Sequence, residues 1–216
     1  ISIAQRDYSK AKGYLDGIES PENLTADERV SRVELLSVVS EQRGQLTQAK
    51  KYLRDLIEAW EDKPELLAPT FLRLAELEMK SKSFSKAEEI LLEIERLKMA
   101  GNEVSEDIWY KTLYLKGKAL EKQGRKIAAV ELYTRLIDDF ESKRPTGAIR
   151  YRAGKILFES GNIKGAEKLW MGLDSEKNSM YLRMAREKLS NAKWSDEYKK
   201  YINRIPATDN LTRSAE

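Results

Sequence analysis

The chain has 216 residues and a net charge of +3; 41% of its residues are hydrophobic, 35% are charged, and none is Cys or His. Lacking those two types, it has no disulfides, Cys/His zinc sites, thiolate nucleophiles or histidine acid–base catalysis. No apolar run approaches the roughly 20 residues of a membrane span, and the Leu, Ala, Glu, Lys and Arg content favours helix, where straight-chain residues lose little rotamer freedom.

In chain order, the first amphipathic stretch is 6–19, with Tyr8, Ala11, Leu15 and Ile18 on one stripe, and the turn around Pro21 ends it. Thr25 and Glu28 have capping-box spacing and open a helix over 26–43, with Val30, Val33, Leu36, Ser37 and Ser40 inward. Gly44 stops it, and a partner follows at 47–61 carrying Leu46, Ala49, Leu53, Leu56 and Trp60. Pro64 suits the first turn of a helix over 65–81 that buries Leu67, Phe71, Leu74, Ala75 and Leu77. Ser85 and Glu88 form a second capping-box pair opening 85–99, with Ala87, Leu91, Ile94 and Leu97 inside. After a loop from Ala100 to Glu106 come helices over 106–123, 126–141, 145–160 (opened by Pro145) and 163–173. The tail predicts a weaker pair, 177–192 with Tyr181, Leu182, Met184, Ala185 and Leu189, and 194–203 with Trp194, Tyr198, Tyr201 and Ile202. Residues 204–216 are polar and are expected to be disordered.

An internal repeat organises these elements. A small residue four before a large one lies on the same helical face. That phrase recurs as Ala11/Leu15, Ala49/Leu53, Ala87/Leu91, Ala129/Tyr133 and Ala166/Trp170, the alanines being 38, 38, 42 and 37 residues apart. Shifting the chain by 37 residues superposes Gly117 on Gly154, Gly124 on Gly161, Tyr133 on Trp170, Tyr114 on Tyr151 and Lys118 on Lys155. The units are a partial repeat at 6–19, four hairpins at 26–61, 65–99, 106–141 and 145–173, and a degenerate capping pair at 177–203, forming one array. A terminal unit is expected to be the most polar, because one of its faces has no neighbour.

On these residues the chain resembles the tetratricopeptide repeat (TPR) family. Leu113, Gly117, Leu120, Ala129 and Tyr133 fill the family's motif once, and Gly154, Leu157, Ala166 and Trp170 fill it again. Ser37 and Ala75 take the glycine position in the earlier repeats. The motif's Trp is absent and the spacings run three or four residues long. The resemblance implies an all-α fold, a right-handed α-solenoid of antiparallel helix pairs, and a non-enzymatic scaffold that holds a peptide or protein segment in a concave groove lined by the first helix (helix A) of each pair. It implies as groove residues Lys111, Tyr114, Lys118, Tyr151, Arg152, Lys155, Phe158 and Arg186, with Glu34, Val38, Glu41, Leu72, Glu76 and Met79 at the matching upstream positions. The lysines sit where the family's carboxylate-gripping Asn would be, so that chaperone-tail activity is not carried over.

Charge divides unevenly along the chain. Residues 1–109 hold 16 Lys and Arg against 22 Asp and Glu, whereas residues 110–200 hold 21 against 12. A Tyr with a Lys one turn later, repeated at one helical phase, suits an acidic segment, and self-association of copies is a further expectation. Nucleic acid fits less well, because the positive charges are spread over several helix faces. Adjacent carboxylates such as Asp138 and Asp139 point to different faces, and Gly117-Lys118 lacks a phosphate loop's other glycines, so no catalytic, cofactor or metal residue is expected. The chain starts abruptly within a repeat, which makes a docking region of a longer protein, even of an enzyme, the alternative reading. A bacterial envelope is the favoured setting, on the resemblance to long-period adaptors alone.

Overall fold

The computed structural model describes residues 7–18, 23–60, 63, 66–175 and 180–203. Among them the chain forms ten α-helices and no strand. The helices fall into two compact units, Ile1–Asp138 and Asp139–Glu216, whose boundary lies in the last turn of α7. The first unit holds α1 (Tyr8–Asp16), α2 (Ala26–Gln42), α3 (Leu46–Ala59), α4 (Ala68–Lys80), α5 (Phe84–Met99), α6 (Glu106–Lys122) and most of α7 (Lys126–Phe140). The second holds α8 (Gly147–Glu159), α9 (Ile163–Met171), a 3-10 turn at Gly172–Ser175 and α10 (Met180–Ile202).

Each helix pair closes through the same backbone turn. After α2, the Gln45 N–H donates to the Ser40 carbonyl (2.8 Å) and the Gly44 N–H to that of Glu41 (2.9 Å). The same two bonds recur from Ser83 and Lys82, from Arg125 and Gly124, and from Asn162 and Gly161. This is the Schellman closure, whose penultimate residue must be left-handed. Gly44, Gly124 and Gly161 supply it at φ +76°, +80° and +82°, and Lys82 does so at +60°. A Cβ in this region costs roughly 1–2 kcal/mol. Lys82→Gly is therefore expected to raise stability by about 0.5–1 kcal/mol after the glycine's extra unfolded-state entropy is counted, read as a higher melting temperature. Each left-handed residue stands five positions before the fully buried alanine of the following helix: Ala49, Ala87, Ala129 or Ala166.

Between paired helices the fit is one of size. Gly117 and Gly154 lie under large aromatics. A Cβ on Gly117 would come within 2.9 Å of Tyr133 Cδ1, and one on Gly154 within 2.6 Å of Trp170 Cδ1 and Cε2. The corresponding residues of the earlier pairs are Ser37 and Ala75, with Leu53 and Leu91 sixteen positions on, all four fully buried. A wider residue on the first helix thus accompanies a narrower one on the second, and no residue beyond glycine fits under an indole or phenol.

The helix α4 packs against α2, α3, α5 and α6. That encirclement buries polar groups the apolar stripe does not include, namely Thr70 and Glu78, and also Leu72, which sequence phase places on the groove. The Glu78 side chain lies between Lys50 and Arg54 of α3, each 2.7 Å away.

Several boundaries differ from the sequence reading. The Thr25–Glu28 capping box forms with both of its bonds. The Ser85–Glu88 box does not: α5 starts at Phe84, and Glu88 instead accepts from Gln123 and Arg125. Pro64 lies outside the described residues, and the proline in the first turn of α4 is Pro69. Pro145 precedes the N-cap Thr146 rather than opening α8. The tail is one helix of 23 residues and not a pair, since Asn191-Ala192-Lys193 contains no breaker and each residue tolerates helix. Only its first half packs, through Leu182 and Ala185, while Trp194, Tyr198, Tyr201 and Ile202 remain exposed. The turn at Ser20–Glu22 and the tail at 204–216 lie outside the described residues.

Candidate partner-binding faces

In the first unit α4 packs beside both α2 and α6, so three first helices present their off-core residues on a shared side. At their N-terminal ends is an open cleft of about 500 Å³, bounded by Asp27, Val30 and Glu34 of α2, Pro69 of α4, Ile108 of α6 and Glu103 from the preceding loop. It exists because the α5–α6 connection is long. That loop turns at Gly101 (φ +86°), is pinned by the Asn102 side chain donating to the Leu97 carbonyl (3.2 Å), and anchors on the buried Val104.

The carboxylates along this side are in unequal environments. Burial pushes the Glu34 carboxyl above its ordinary range; Arg73 opposes the shift and Glu76 adds to it. Arg73 is itself engaged by Glu41 and by Glu76 (3.0 Å). Burial would also raise Glu41, but Lys80 (2.9 Å) and Arg73 outweigh it and hold that carboxyl below its ordinary value. A carboxyl whose folded pKa is lowered contributes stability above its unfolded value that is lost as pH falls through the folded one. The stability difference between wild type and Glu41→Gln is therefore expected to be full at neutral pH and to shrink below the ordinary value of 4.5, as thermal melts at stepped pH would report.

Further along α6, Lys111 is exposed, and Tyr114 is half-buried with its ring 6.4 Å from that of Tyr133. Lys118 lies over Tyr114, its Nζ 5.4 Å from the ring centre. These three share one helix face. In the second unit the matching residues are arranged differently. Tyr151 is buried, stacked on Trp170 (5.8 Å, 17°) and flanked by Tyr181 of α10 (5.8 Å), and burial raises its hydroxyl pKa. Phe158 lies against Trp170 (5.7 Å), with Lys188 above it. Lys155 is exposed beside Glu159, Arg152 is half-buried, and Arg186 is exposed, bonded to Asp174 (3.0 Å). The sequence-level equivalence of Tyr114 and Tyr151 thus ends at the surface. The wider Trp170, together with a tyrosine contributed by α10, buries Tyr151 and partly covers Phe158, and leaves Arg152, Lys155 and Arg186 as that unit's polar groups from the expected set.

Sequence reasoning placed Glu34 on the groove by helix phase, but missed Asp27 and Glu103, which come from the start of α2 and from the loop. The length of the 100–106 connection was the available signal. Among the described residues no group of Asp and Glu is arranged to hold a metal, and no helix is long and apolar enough to cross a membrane.

No family model matches the chain, and no curated protein matches it. Solved structures do. TPR-like repeats of a Podosopora anserina kinesin light chain candidate align with TM-score 0.63 at 14% identity in a single-residue variant, covering 83% of this chain and 92% of that one. The parent form aligns at 0.58 and 14%, covering 87% and 96%. MamA aligns at 0.54 and 16%, covering 76% of this chain and 96% of its own. The fold is that of TPR-like helical repeats.

Proposed function

We propose that the chain is a non-enzymatic interaction scaffold that holds a segment of a partner polypeptide against its first helices and supports assembly of a larger complex. The observation carrying this reading is the shared side of α2, α4 and α6, where an open cleft and charged side chains lie outside the packed stripe. Clefts of roughly 300–1,000 Å³ take up extended side chains well, and a face of parallel helices offers contacts at a regular pitch. Lys111 and Lys118 supply cations at the α6 end, and Tyr114 gives a flat, half-exposed surface with few rotors to immobilise. An acidic group on the partner fits this end.

The test is affinity capture from lysate of the source cells, with cross-linking, comparing the wild-type chain with Lys111→Glu/Lys118→Glu. Rim charges act chiefly on association and are screened by salt. Recovery of at least one partner is expected to fall about tenfold or more, equivalent to about 1.4 kcal/mol. Undiminished recovery of every partner would remove α6 from the interface.

A further inference from the structure

We infer that the cleft at the N-terminal ends of α2, α4 and α6 takes a cationic, apolar polypeptide segment, with a Lys or Arg side chain seated among Asp27, Glu34 and Glu103 and its neighbours against Val30, Pro69 and Ile108. This rests on the scaffold reading and names the chemistry of its partner.

The sign of the cleft is the first argument. Three carboxylates line it, and no Lys or Arg does among the described lining residues. Arg73, the cation that acts on Glu34, is held by Glu41 and Glu76. Glu34 therefore carries a desolvation cost that its own chain offsets only in part, which is why its carboxyl is pushed upward. An incoming ammonium or guanidinium supplies the missing counter-charge where water is already partly excluded, and charge-assisted bonds are strongest in such a place.

The ends of α2 and α6 disfavour the opposite ligand, whereas α4 has no side-chain cap and Pro69 in its first turn carries no N–H. Helix N-termini attract anions only while their N–H groups are open. Here the Thr25 hydroxyl accepts from the Glu28 N–H, the Glu28 carboxylate accepts from the Thr25 N–H (2.8 Å), and the Ser105 hydroxyl accepts from the Ile108 N–H (3.4 Å). With those donors used internally and acidic residues in the first turns of α2 and α6, an acidic segment or a nucleic-acid phosphate meets repulsion. The volume fits a few side chains of an extended segment rather than a folded surface. The excess of acidic residues over 1–109 gives the same sign at longer range.

Selection of a random dodecapeptide phage library on the full chain tests this, followed by fluorescence anisotropy with the enriched peptides. Enriched sequences should combine Lys or Arg with apolar residues, and Glu34→Gln/Glu103→Gln should weaken them at least tenfold. The melting temperature of that variant should be unchanged or higher, since it removes a poorly compensated charge, so lost binding would not reflect lost folding. Glu34→Lys should in turn favour peptides in which the cation is replaced by Glu. Cationic peptides that bind the double variant as well as wild type, or acidic peptides that keep their affinity for Lys111→Glu/Lys118→Glu, would overturn the cationic assignment and leave the scaffold reading standing. No enrichment at all would overturn both.

Discussion

Gly154→Ala is expected to destabilise the protein, although alanine in the middle of a helix ordinarily outperforms glycine by about 1 kcal/mol. Two effects of opposite sign compete at this site, and the distances decide between them. The new methyl would stand 2.6 Å from two indole atoms of Trp170, a residue itself only 2% exposed. Relief requires the ring to move, yet Trp170 stacks on Tyr151, touches Phe158 and donates from its indole nitrogen to the Tyr151 carbonyl (3.1 Å). Overpacking of this kind costs about 1–3 kcal/mol beyond any propensity gain. A net loss near 2 kcal/mol would lower the melting temperature by about 4–8 °C for a chain of this length. Gly117→Ala should behave alike, meeting Tyr133 at 2.9 Å. The diagnostic step is the pairing: Gly117→Ala with Tyr133→Leu recreates the Ala75 and Leu91 combination found in the preceding pair and should recover part of the loss. Positive coupling in that double-mutant cycle is the expected result. A stabilising Gly154→Ala would show that the two helices are further apart than described.

The second large effect is expected at Glu78. Its side chain is 2% exposed and its partner Lys50 13%, so both charges are largely out of water and each depends on the other. Arg54, on the same carboxylate, is more exposed and less dependent on it. Removing one member of a buried pair costs about 3–5 kcal/mol, mostly the penalty of the charge left behind. Glu78→Gln keeps the volume and should still lose about 3 kcal/mol. Glu93→Gln, which breaks the exposed pair with Arg96, should change stability by less than about 1 kcal/mol. Replacing Lys50 and Glu78 together by Met and Leu should cost far less than either single change, because no orphan charge remains. Denaturant melts of these variants would check the order, and 1 M salt should reduce the small effect at Glu93 far more than the large one at Glu78.

Most of the helix plan was legible because period and punctuation agree. The buried alanines and the glycines under Tyr133 and Trp170 share a self-match, and three of the four hairpin turns carry a Gly where the backbone must be left-handed. What was not legible arises from neighbours distant in sequence. Lys82 fills a left-handed position without any compositional mark. Glu78 looks like a surface residue until α3 brings two cations to it. Tyr151 matches Tyr114 in phase, yet its exposure is set by Trp170 and by a tyrosine from α10. The candidate face suffered for the same reason: helix phase tells which residues leave the core, but not which of them another element then covers. Helix phase put Glu34 on the groove, but its place in a cleft beside Glu103 required knowing where a loop returns, and no periodicity carries that.

The tightest fit in each pair joins residues only sixteen positions apart, from Gly117 to Tyr133 and from Gly154 to Trp170. Closing so short a span sacrifices little chain entropy. Folding should consequently be rapid and weakly dependent on chain length, as it is where native contacts are local. Amide exchange should then divide along hairpin lines, with the encircled α4 the slowest to exchange and the bare end of α10 the fastest.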